Sequence, residues 1–508
     1  MPQFTRRGFM KSSGATAGVV LATGATPPPQ EKKEDKIRVG MIGTGGRGNY
    51  LLGEGIWQSD DLEIVAVADV YKPHQKGGSL QGWLANAQIS LTRGRPTPEQ
   101  REKLRSVIRP ACYYDYREML ATETLDAVII ATPPHTHHEI VLACLDAGKH
   151  VFVETPLATT IDDGRAIVEK AHEAGRIVQV GHQRRYHPNY NLAMKRFREE
   201  GVLGRLSEIM CRKSQILSGR RSLPKGYEFN DLERKFIATD LEHHLNWRLY
   251  TDPSGGPSLD QLPQSMDVAN WFTGGIPAKV YATGGVDYWR DGRSSPDNMS
   301  ALFEYQLAPR QAPSRGDLTV ESDAPAPYTL RCSYSLNLTN TDLGRFERLS
   351  GTHASLKLDV QGDCLLEHEI VRSGFRGRDT KQHKGETLNK YEKTRGPLSD
   401  AERRELVATG GSSNPYALIP TAPLNADGSE ESPEVHQFRA FADHIRNGGT
   451  PRANAMVGLA AVIAGASARK SYETGNPVDI DPAWMEFEFD TPSITDYDPD
   501  TTAIEAEV

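Results

Sequence analysis

Short apolar runs separated by polar stretches of helical length recur along the first third of the chain. Four runs are predicted strands: Ile37 to Ile42, Leu62 to Ala68, Leu125 to Ala131 and His150 to Val153. Such short, continuous apolar runs are typical of strands that are buried on both faces. Glu139 to Gly148 predicts a helix that ends at a glycine. The recurring strand–helix–strand order predicts a parallel, doubly wound sheet with ligands at the strand C-termini.

The pattern changes after a predicted helix over 161–175 and a strand from Ile177 to Val180. From about residue 205 the chain predicts strands and turns of a larger, mostly antiparallel open sheet. Its five predicted strands are Leu206 to Arg212, Ala278 to Thr283, Met299 to Gln306, Tyr328 to Leu338 and Leu356 to Val360. Two late helices are predicted, Glu434 to Asn447 and Met456 to Tyr472. The fold class is therefore α/β, with a second α/β domain after the first.

Three stretches interrupt this pattern. Residues 74–112 form a polar insertion in the first domain, with a charged, helix-like part from Glu99 to Val107. Residues 308–327 and 374–433 are rich in proline, glycine and charge and predict loops. The predicted division is a signal and linker over 1–30, domains over 36–182 and 183–480, and an acidic tail over 481–508, with the last helix packing back on the first domain.

The first predicted strand continues directly into a glycine-rich sequence, Gly43-Thr44-Gly45-Gly46-Arg47-Gly48, which fits G-x-G-x-x-G. In that pattern the glycines allow a tight turn, a close approach to a pyrophosphate and close helix packing. The second strand ends at Asp69, about 20 residues further on, where a carboxylate can hold ribose hydroxyls. Val70 and Tyr71 follow rather than an arginine, so the sequence predicts a Rossmann domain that binds NAD rather than NADP.

Composition narrows the classes of partner. The 508 residues carry a net charge of −8 with no basic stripe, which argues against nucleic acid. No apolar run is long enough to span a bilayer. The five cysteines are scattered, and no carboxylate pair accompanies His135, His137 and His138, so no metal site is expected.

The N-terminal sequence predicts an export signal rather than part of a folded domain. Arg6-Arg7-Gly8-Phe9-Met10-Lys11 matches a twin-arginine motif, and a weakly apolar segment with small residues follows over 15–25. The twin-arginine route carries folded proteins, so a cofactor can be loaded before export. The expected location is periplasmic or secreted.

Taken together, these motifs resemble the Gfo/Idh/MocA family of NAD(P)-dependent sugar oxidoreductases over roughly 36–480. The matching stretches are VGMIGTGGRG, VAVADV, ATPPHTHHEIVLACLDAGKHVFVETPLA, VQVGHQRRYHPNY and SGGPSLDQLPQSMDVANWFTG. The resemblance implies a Rossmann domain followed by a domain whose open sheet carries the sugar site and often mediates oligomers. A carbohydrate substrate and a homo-oligomer, dimer or tetramer, are therefore expected. The GGRG loop is similar to that of secreted members with a twin-arginine signal.

The chain departs from the family at the residues that move protons. The family's E-K-P is Glu154-Thr155-Pro156 here, and the lysine that helps the reacting hydroxyl lose its proton is replaced by a threonine. The family's D-x-x-x-H is Asp260 with Gln264, so the usual histidine base is a glutamine. Neither replacement titrates near neutral pH. Another residue could serve as the base, and the candidates are His182, His187, His243, His244, Tyr186, Tyr288 and Asp260 itself.

Two sets of site residues are therefore predicted. The catalytic candidates are Asp260, Thr155, Gln264, His182 and His244. The resemblance and the glycine motif place the cofactor against Gly43, Thr44, Gly45, Gly46, Arg47, Gly48, Asp69, Thr132, Pro133, His137, Glu154, Gln183 and Arg184.

Three functions remain open from the sequence. The first is an oxidoreductase that oxidises a carbohydrate CH–OH group with a tightly held NAD. The second is a redox-neutral, NAD-dependent glycoside hydrolase or lyase, which the loss of the lysine at Thr155 favours mildly. The third is a protein that binds sugar or nucleotide without catalysis.

Overall fold

The computed structural model describes residues 36–56, 58–59, 61–71, 110–217, 220–237, 240–308, 327–341, 344–359, 364–368, 416–418 and 432–496. The predicted export signal, most of the 74–112 insertion, most of the two predicted loops and the last residues of the acidic tail lie outside the described residues.

A six-stranded sheet forms the first domain. Its strands are Ile37–Ile42 (β1), Leu62–Ala68 (β2), Ala111–Tyr113 (β3), Ala127–Ile130 (β4), His150–Val153 (β5) and Val178–Val180 (β6). The spatial order is β3-β2-β1-β4-β5-β6, and all pairings are parallel. The predicted doubly wound parallel sheet is confirmed. The strand order reverses between β1 and β4, so their carboxyl ends open the crevice where such sheets bind ligands.

Among the described residues, five α-helices flank or follow this sheet: Gly46–Leu51 (α1), Tyr116–Thr122 (α2), His137–Asp146 (α3), Ile161–Ala174 (α4) and Pro188–Arg198 (α5). Helix α4 begins where the Thr160 hydroxyl accepts from the Asp163 N–H at 3.1 Å. It ends at Gly175, whose φ of +58° is the left-handed conformation that favours glycine.

A nine-stranded sheet forms the second domain. Its strands are Leu206–Ser214 (β7), Lys279–Gly285 (β8), Asn298–Leu307 (β9), Tyr328–Asn337 (β10), Arg345–Gly351 (β11), Ala354–Asp359 (β12), Cys364–His368 (β13), Tyr416–Leu418 (β14) and Val478–Asp479 (β15). The order is β14-β13-β12-β11-β7-β10-β9-β8-β15, and only β7 and β10 pair in parallel. The prediction of a large, mostly antiparallel sheet is confirmed. The loop prediction for 374–433 is wrong at β14, a short edge strand paired with β13.

In the described part of the second domain, seven α-helices accompany the sheet: Asp231–Phe236 (α6), Leu241–Leu245 (α7), Thr251–Ser254 (α8), Pro257–Asp260 (α9), Pro263–Thr273 (α10), Pro433–Asn447 (α11) and Ala455–Thr474 (α12). Helix α12 packs on both domains. A Cβ atom on Gly458 would lie 2.9 Å from Leu157 and Val180 atoms, and one on Gly465 would lie 2.4 Å from the Ser258 carbonyl oxygen. Glycine therefore permits the close approach that holds the two domains together.

The described part of the acidic tail is packed against the protein. The Arg165 guanidinium donates to the Trp484 carbonyl at 2.7 Å, and the His172 ring stacks on Phe489 with centroids 3.8 Å apart. The Trp271 indole donates to the Asp496 carbonyl at 2.9 Å. Within the described part of the chain, no helix is both long and apolar enough to cross a membrane.

Candidate functional site: a glycine loop and the cleft beside it

The glycine loop leaves β1 in a conformation that two of its glycines make possible. Gly43 has a φ of +91°, and a Cβ atom there would lie 2.7 Å from the Ala131 carbonyl oxygen. A Cβ atom on Gly48 would lie 2.1 Å from the Gly43 carbonyl oxygen, well inside van der Waals contact. The turn and the start of α1 therefore require glycine at both positions, as expected for a loop that lets a dinucleotide pyrophosphate approach the backbone.

Asp69 joins the end of β2 to this loop. One carboxylate oxygen accepts from the Thr44 N–H at 2.8 Å and from the Thr44 hydroxyl at 3.0 Å, and the other accepts from the Tyr71 N–H at 2.9 Å. A fixed carboxylate at the end of the second strand suits ribose hydroxyls and repels a 2′-phosphate. The loop and Asp69 together fit NAD.

Arg47 connects the glycine loop to three other parts of the chain. Its guanidinium donates to Glu154 at 2.7 Å and to the Gln183 side-chain oxygen at 2.8 Å. Its third nitrogen lies 3.5 Å from Glu434, at the start of α11. Burial raises the pKa of the Glu434 carboxyl, and the Arg47 charge opposes this rise. The arginine thus fixes the loop against the ends of β5 and β6, and Glu434 is a site residue that no sequence motif indicated.

His137 fixes the turns that follow β4 and β5. Its two ring nitrogens lie 2.7 Å from the Pro156 carbonyl oxygen and 3.0 Å from the Thr132 carbonyl oxygen. The ring is fully buried, and this burial lowers its pKa. Thr132 and Pro133 form the first of the two turns. His137 therefore shapes the floor of the crevice through backbone carbonyl groups.

Gln264 connects the second domain to the edge of the parallel sheet. Its side-chain N–H₂ group donates to the Thr155 hydroxyl at 3.2 Å and to the Gly181 carbonyl at 3.0 Å. Asp260, one helical turn earlier, accepts from the Arg248 Nε at 3.3 Å and from the Gln261 amide. Two of the predicted catalytic residues, Gln264 and Thr155, are therefore in contact beyond the ends of β5 and β6, and Asp260 lies four residues before Gln264 at the end of α9.

Arg184 holds the turn that carries Gln264. Its guanidinium donates to Glu347 at 2.6 Å and to the Gln264 carbonyl at 3.0 Å. Glu347 is fully buried and also accepts from Ser265 at 2.8 Å and from Tyr190 at 3.0 Å. The predicted cofactor residue Arg184 thus belongs to a buried ion pair under the Gln264 turn, while Gln183 beside it binds Arg47.

The two predicted histidines lie in different surroundings. His182 is fully buried, 3.5 Å from Asp267, which holds Arg185 in a two-pronged ion pair. Burial lowers the His182 pKa, so this ring is a neutral part of the core. His244 lies on helix α7, and its ring centroid is 5.6 Å from that of Tyr71, two residues after Asp69.

Lys213 is a residue near Asp260 that the sequence-based prediction of site residues missed. The strand predicted from Leu206 to Arg212 extends to Ser214, and Lys213 lies near its end. The buried residues Ile209 and Cys211 precede it at intervals of two. Extending this alternation by one step places Lys213 on the inner face of the sheet, and that signal was present in the sequence.

Comparisons with known protein families and proteins agree with this architecture. The model of the Gfo/Idh/MocA oxidoreductase family with an NAD-binding Rossmann fold matches residues 93–182, and that of the GFO/IDH/MocA C-terminal domain matches residues 191–336. A levoglucosan dehydrogenase solved with NADH aligns over 88% of this chain and 100% of its own, with a TM-score of 0.57 and 17% identity. At that identity the likeness shows the fold.

Curated relatives match over parts of their length. A 4-carboxy-2-hydroxymuconate-6-semialdehyde dehydrogenase of Sphingobium sp. (strain NBRC 103272 / SYK-6) is 46% identical over 76 residues, 15% of this chain and 24% of that protein. An inositol 2-dehydrogenase/D-chiro-inositol 3-dehydrogenase of Shouchella clausii is 32% identical over 176 residues, 34% and 44% of the two chains. A glycosyl hydrolase family 109 protein of Shewanella baltica is 30% identical over 194 residues, 34% and 38%. The chain thus spans less than half the length of these three relatives.

The two family models match nearby stretches that contain β3 to β6 of the first sheet and β7 to β9 and most of β10 of the second. The glycine loop and Asp69, which precede the matched stretches, have the geometry that a dinucleotide requires. Two stretches of the chain, residues 93–182 and 191–336, are therefore similar to the Gfo/Idh/MocA oxidoreductase family, and the first domain is an NAD-binding Rossmann domain.

Proposed function

We propose that this protein is an exported oxidoreductase that uses a tightly held NAD to oxidise a CH–OH group of a carbohydrate. One observation carries the proposal: the Gln264 side chain of the second domain donates to Thr155 at the carboxyl edge of the parallel sheet, and Asp260 is four residues before Gln264. In a sheet of this order that edge is where the reactive end of a dinucleotide lies. A polyol bound there meets a carboxylate and an amide that recognise hydroxyl groups.

The chemistry divides between cofactor and protein. Bound NAD supplies the acceptor for the hydride of the carbinol. The side chain of Asp260 accepts a hydrogen bond from a substrate hydroxyl, and Arg248 keeps that carboxylate oriented. The dehydrogenase names of the inositol and levoglucosan relatives support a polyhydroxylated substrate.

A segment of the second domain supports tight retention of the cofactor. The Asn246 side chain exchanges hydrogen bonds with the Arg221 backbone, accepting from its N–H at 2.6 Å and donating to its carbonyl at 3.2 Å. The Arg221 guanidinium reaches within 3.6 Å of a Cβ position on Gly46, and the Tyr227 ring stands edge-on to Tyr71 at 5.5 Å. A cation and an aromatic group therefore cover the glycine loop and the Asp69 side of the crevice.

Retention is tested by measuring the NAD that stays with the protein through gel filtration. Arg221→Ala removes the cation beside the pyrophosphate loop, so we expect the retained fraction to fall at least tenfold. Arg234→Ala, on an exposed arginine paired with Glu228, is the matched control and should keep the wild-type content. Equal retention in the two variants would remove this segment from the account of cofactor binding.

Product analysis tests the reaction itself. The purified mature protein is incubated with NAD and a panel of free sugars and aryl glycosides, and the products are examined by mass spectrometry. Oxidation gives a product that is about two mass units lighter than the substrate, because a hydride and a proton leave. Failure to find that product from any sugar would refute the oxidoreductase proposal.

Redox-neutral glycoside cleavage is the second candidate. It is favoured by Thr155 in place of the family's lysine and by the glycosyl hydrolase family 109 relative. Release of an aglycone without accumulation of NADH in the same experiment would identify it. If the protein only binds sugar, no product forms from any sugar. Asp260→Asn would then leave the measurable properties of the protein unchanged.

Export and self-association complete the proposal. Export rests on the twin-arginine motif at residues 6–11. Self-association rests on a row of large apolar side chains across the outer face of the second sheet, where Tyr281, Leu302 and Met210 are 47%, 41% and 38% exposed. Tyr281 pairs with Leu302, and Leu302 and Met210 both pair with Ser333, so the three lie in one line across four strands. An exposed row that carries three large apolar side chains suits a second copy of this chain.

A further inference from the structure

The two positions at which the family resemblance implies proton-transferring residues carry side chains that do not titrate near neutral pH. Thr155 and Gln264 hold the positions at which the family resemblance implies a lysine and a histidine, and both are committed to the hydrogen bond between them. His182 is buried beside Asp267, and His137 is held between two backbone carbonyl groups. With the Asp260 carboxylate assigned above to hydrogen bonding a substrate hydroxyl, a base for the oxidation can come from another element.

Lys213 lies on the inner face of the second sheet, directly under the Asp260 turn. On the same strand face, the Cys211 sulfur lies 3.9 Å from the Ser265 carbonyl oxygen, and the Gln215 amide donates to the Gln261 side chain at 3.0 Å. Lys213 is midway between these two residues, so the alternation of the strand directs its side chain toward the helical turn that carries Asp260. The side chain is half-buried.

The charges around Lys213 come from several elements. Arg345, on the neighbouring strand β11, is the register partner of Lys213. Asp260 faces Lys213 from helix α9, and the buried ion pair of Arg184 and Glu347 also acts on its charge. Burial and the Arg345 charge lower the pKa of the Lys213 ammonium to about 7, while Asp260 opposes this shift. Within the described part of the chain, no hydrogen bond of the Lys213 side chain is found, so its nitrogen is available to a ligand.

A buried hydroxyl lies beside this position. Tyr334, on β10, pairs with Cys211 and is 1% exposed. Its oxygen has no hydrogen-bond partner among the described residues, and burial raises its pKa, so the phenol stays protonated at neutral pH. An unsatisfied buried hydroxyl next to a cleft lysine is a second sign that a polar ligand completes this part of the sheet.

We propose that the side-chain nitrogen of Lys213 is the general base of the oxidation, in place of the family's lysine and histidine. The proposal rests on the oxidoreductase function proposed above. It assigns proton acceptance to a strand of the second domain rather than to the turn after β5. The substrate hydroxyl would lie between the Lys213 amine and Asp260, with the Tyr334 hydroxyl available to a neighbouring oxygen.

The proton and electron changes balance. The O–H bond of the carbinol breaks, and its proton bonds to the lone pair of the neutral Lys213 amine, which becomes an ammonium. The pair left on oxygen forms the second bond of the carbonyl, and the C–H hydrogen leaves with its bonding pair to NAD. The ammonium then returns its proton to water.

The test compares Lys213→Met, Lys213→Arg and Lys213→Ala with wild type over pH 5 to 9, using a sugar that wild type oxidises. A general base typically contributes a factor of about 100 to 10,000, so kcat should fall by that factor while NAD retention stays at the wild-type value. Wild-type kcat/KM should rise through a pKa near 7 and level off, because the amine must be neutral. Lys213→Met and Lys213→Arg should lose this limb.

Chemical rescue separates a base from a structural lysine. Added methylamine should restore the activity of Lys213→Ala, with a rate that grows with the free-base form of the amine. Lys357→Met is the control, since Lys357 is exposed on the opposite face of the same sheet and contacts the Phe346 ring. Its activity and pH profile should match those of wild type.

The outcomes distinguish this inference from the proposed function. Wild-type oxidation with an unchanged pH profile in Lys213→Met, or activity lost in Lys213→Ala without amine rescue, would overturn the role of Lys213 and leave the oxidoreductase function standing. Absence of oxidation by wild type with all sugars would overturn both. Loss of the limb together with rescue would support both.

Discussion

The buried ion pair between Arg184 and Glu347 offers a quantitative test of how the cleft is supported. Glu347 is fully buried, the Arg184 side chain is 10% exposed, and the two are 2.6 Å apart. Arg184→Met leaves the Glu347 carboxylate with only the hydroxyl donors of Ser265 and Tyr190. Removing one partner of a buried pair typically costs about 3–5 kcal/mol, because the remaining charge stays in a low-dielectric interior.

Glu347→Gln produces the opposite defect, an uncompensated buried guanidinium, and should cost a similar amount. The double variant, Arg184→Met with Glu347→Gln, removes both charges and keeps an acceptor for Ser265 and Tyr190. We therefore expect its free energy of unfolding to lie within about 2 kcal/mol of that of wild type. The double variant should then be less destabilised than the sum of the two single variants by about 4 kcal/mol or more. Urea unfolding at pH 7, followed by tryptophan fluorescence, gives the four free energies of unfolding.

An exposed pair provides the control for this cycle. Arg469 donates to Asp252 at 3.1 Å, and the Asp252 side chain is 91% exposed. Its coupling energy should stay below about 1 kcal/mol. A coupling energy at Arg184 and Glu347 as small as that of the exposed pair would refute the conclusion that this ion pair holds the Gln264 turn in place.

Three further predictions follow from the same structure. Gly48→Ala should weaken NAD binding at least 100-fold in calorimetry, because its Cβ atom would lie 2.1 Å from a backbone oxygen, while Gly275→Ala, with open space around it, should bind like wild type. Leu302→Glu should shift the species seen by light scattering from oligomer to monomer, and an unchanged mass would exclude the outer sheet face as the contact. Burial lowers the His187 pKa to about 4 from 6.5, so the unfolded chain binds more protons between these values and stability falls as pH drops from 6.5 to 4. His187→Asn keeps an acceptor at this helix start. Over that pH range its free energy of unfolding should fall by about 3 kcal/mol less than that of wild type, as measured by urea unfolding.

The sequence predicted those strands whose apolar run is the whole strand. β1, β2 and β5 begin and end where the runs do, because both faces of a central parallel strand are buried. Edge strands carry no such signal. β14 and β15 have three and two residues, and they exist because a neighbouring strand offers free backbone groups.

The site was predictable where it depends on local sequence and not where it depends on distant packing. The glycines and Asp69 follow from spacing along one strand–helix–strand unit. Glu434 reaches Arg47 from nearly 400 residues away along the chain, and its surroundings in sequence are those of an ordinary helix start. His182 has the residue type of a catalytic base, but the pairing of Arg185 with Asp267 places it in the core.

The replacement of two family residues and the position of Lys213 have one explanation if the base has moved between domains. A lysine at Thr155 would lie beside the cofactor on the first domain, whereas Lys213 lies on the second, on the strand that pairs with β10 and β11. Hydride acceptor and proton acceptor then belong to different domains, and the contact of Gln264 with Thr155 and Gly181 is one of the contacts that bring them together. On this account Gln264 replaces a histidine because the position now carries a structural bond and no longer a proton. Gln264→Leu should therefore lower kcat without moving the pKa near 7 in the pH profile, whereas a change at Lys213 removes that pKa. A Gln264→Leu variant whose limb disappears would show that the glutamine takes part in proton transfer and would refute this division of roles.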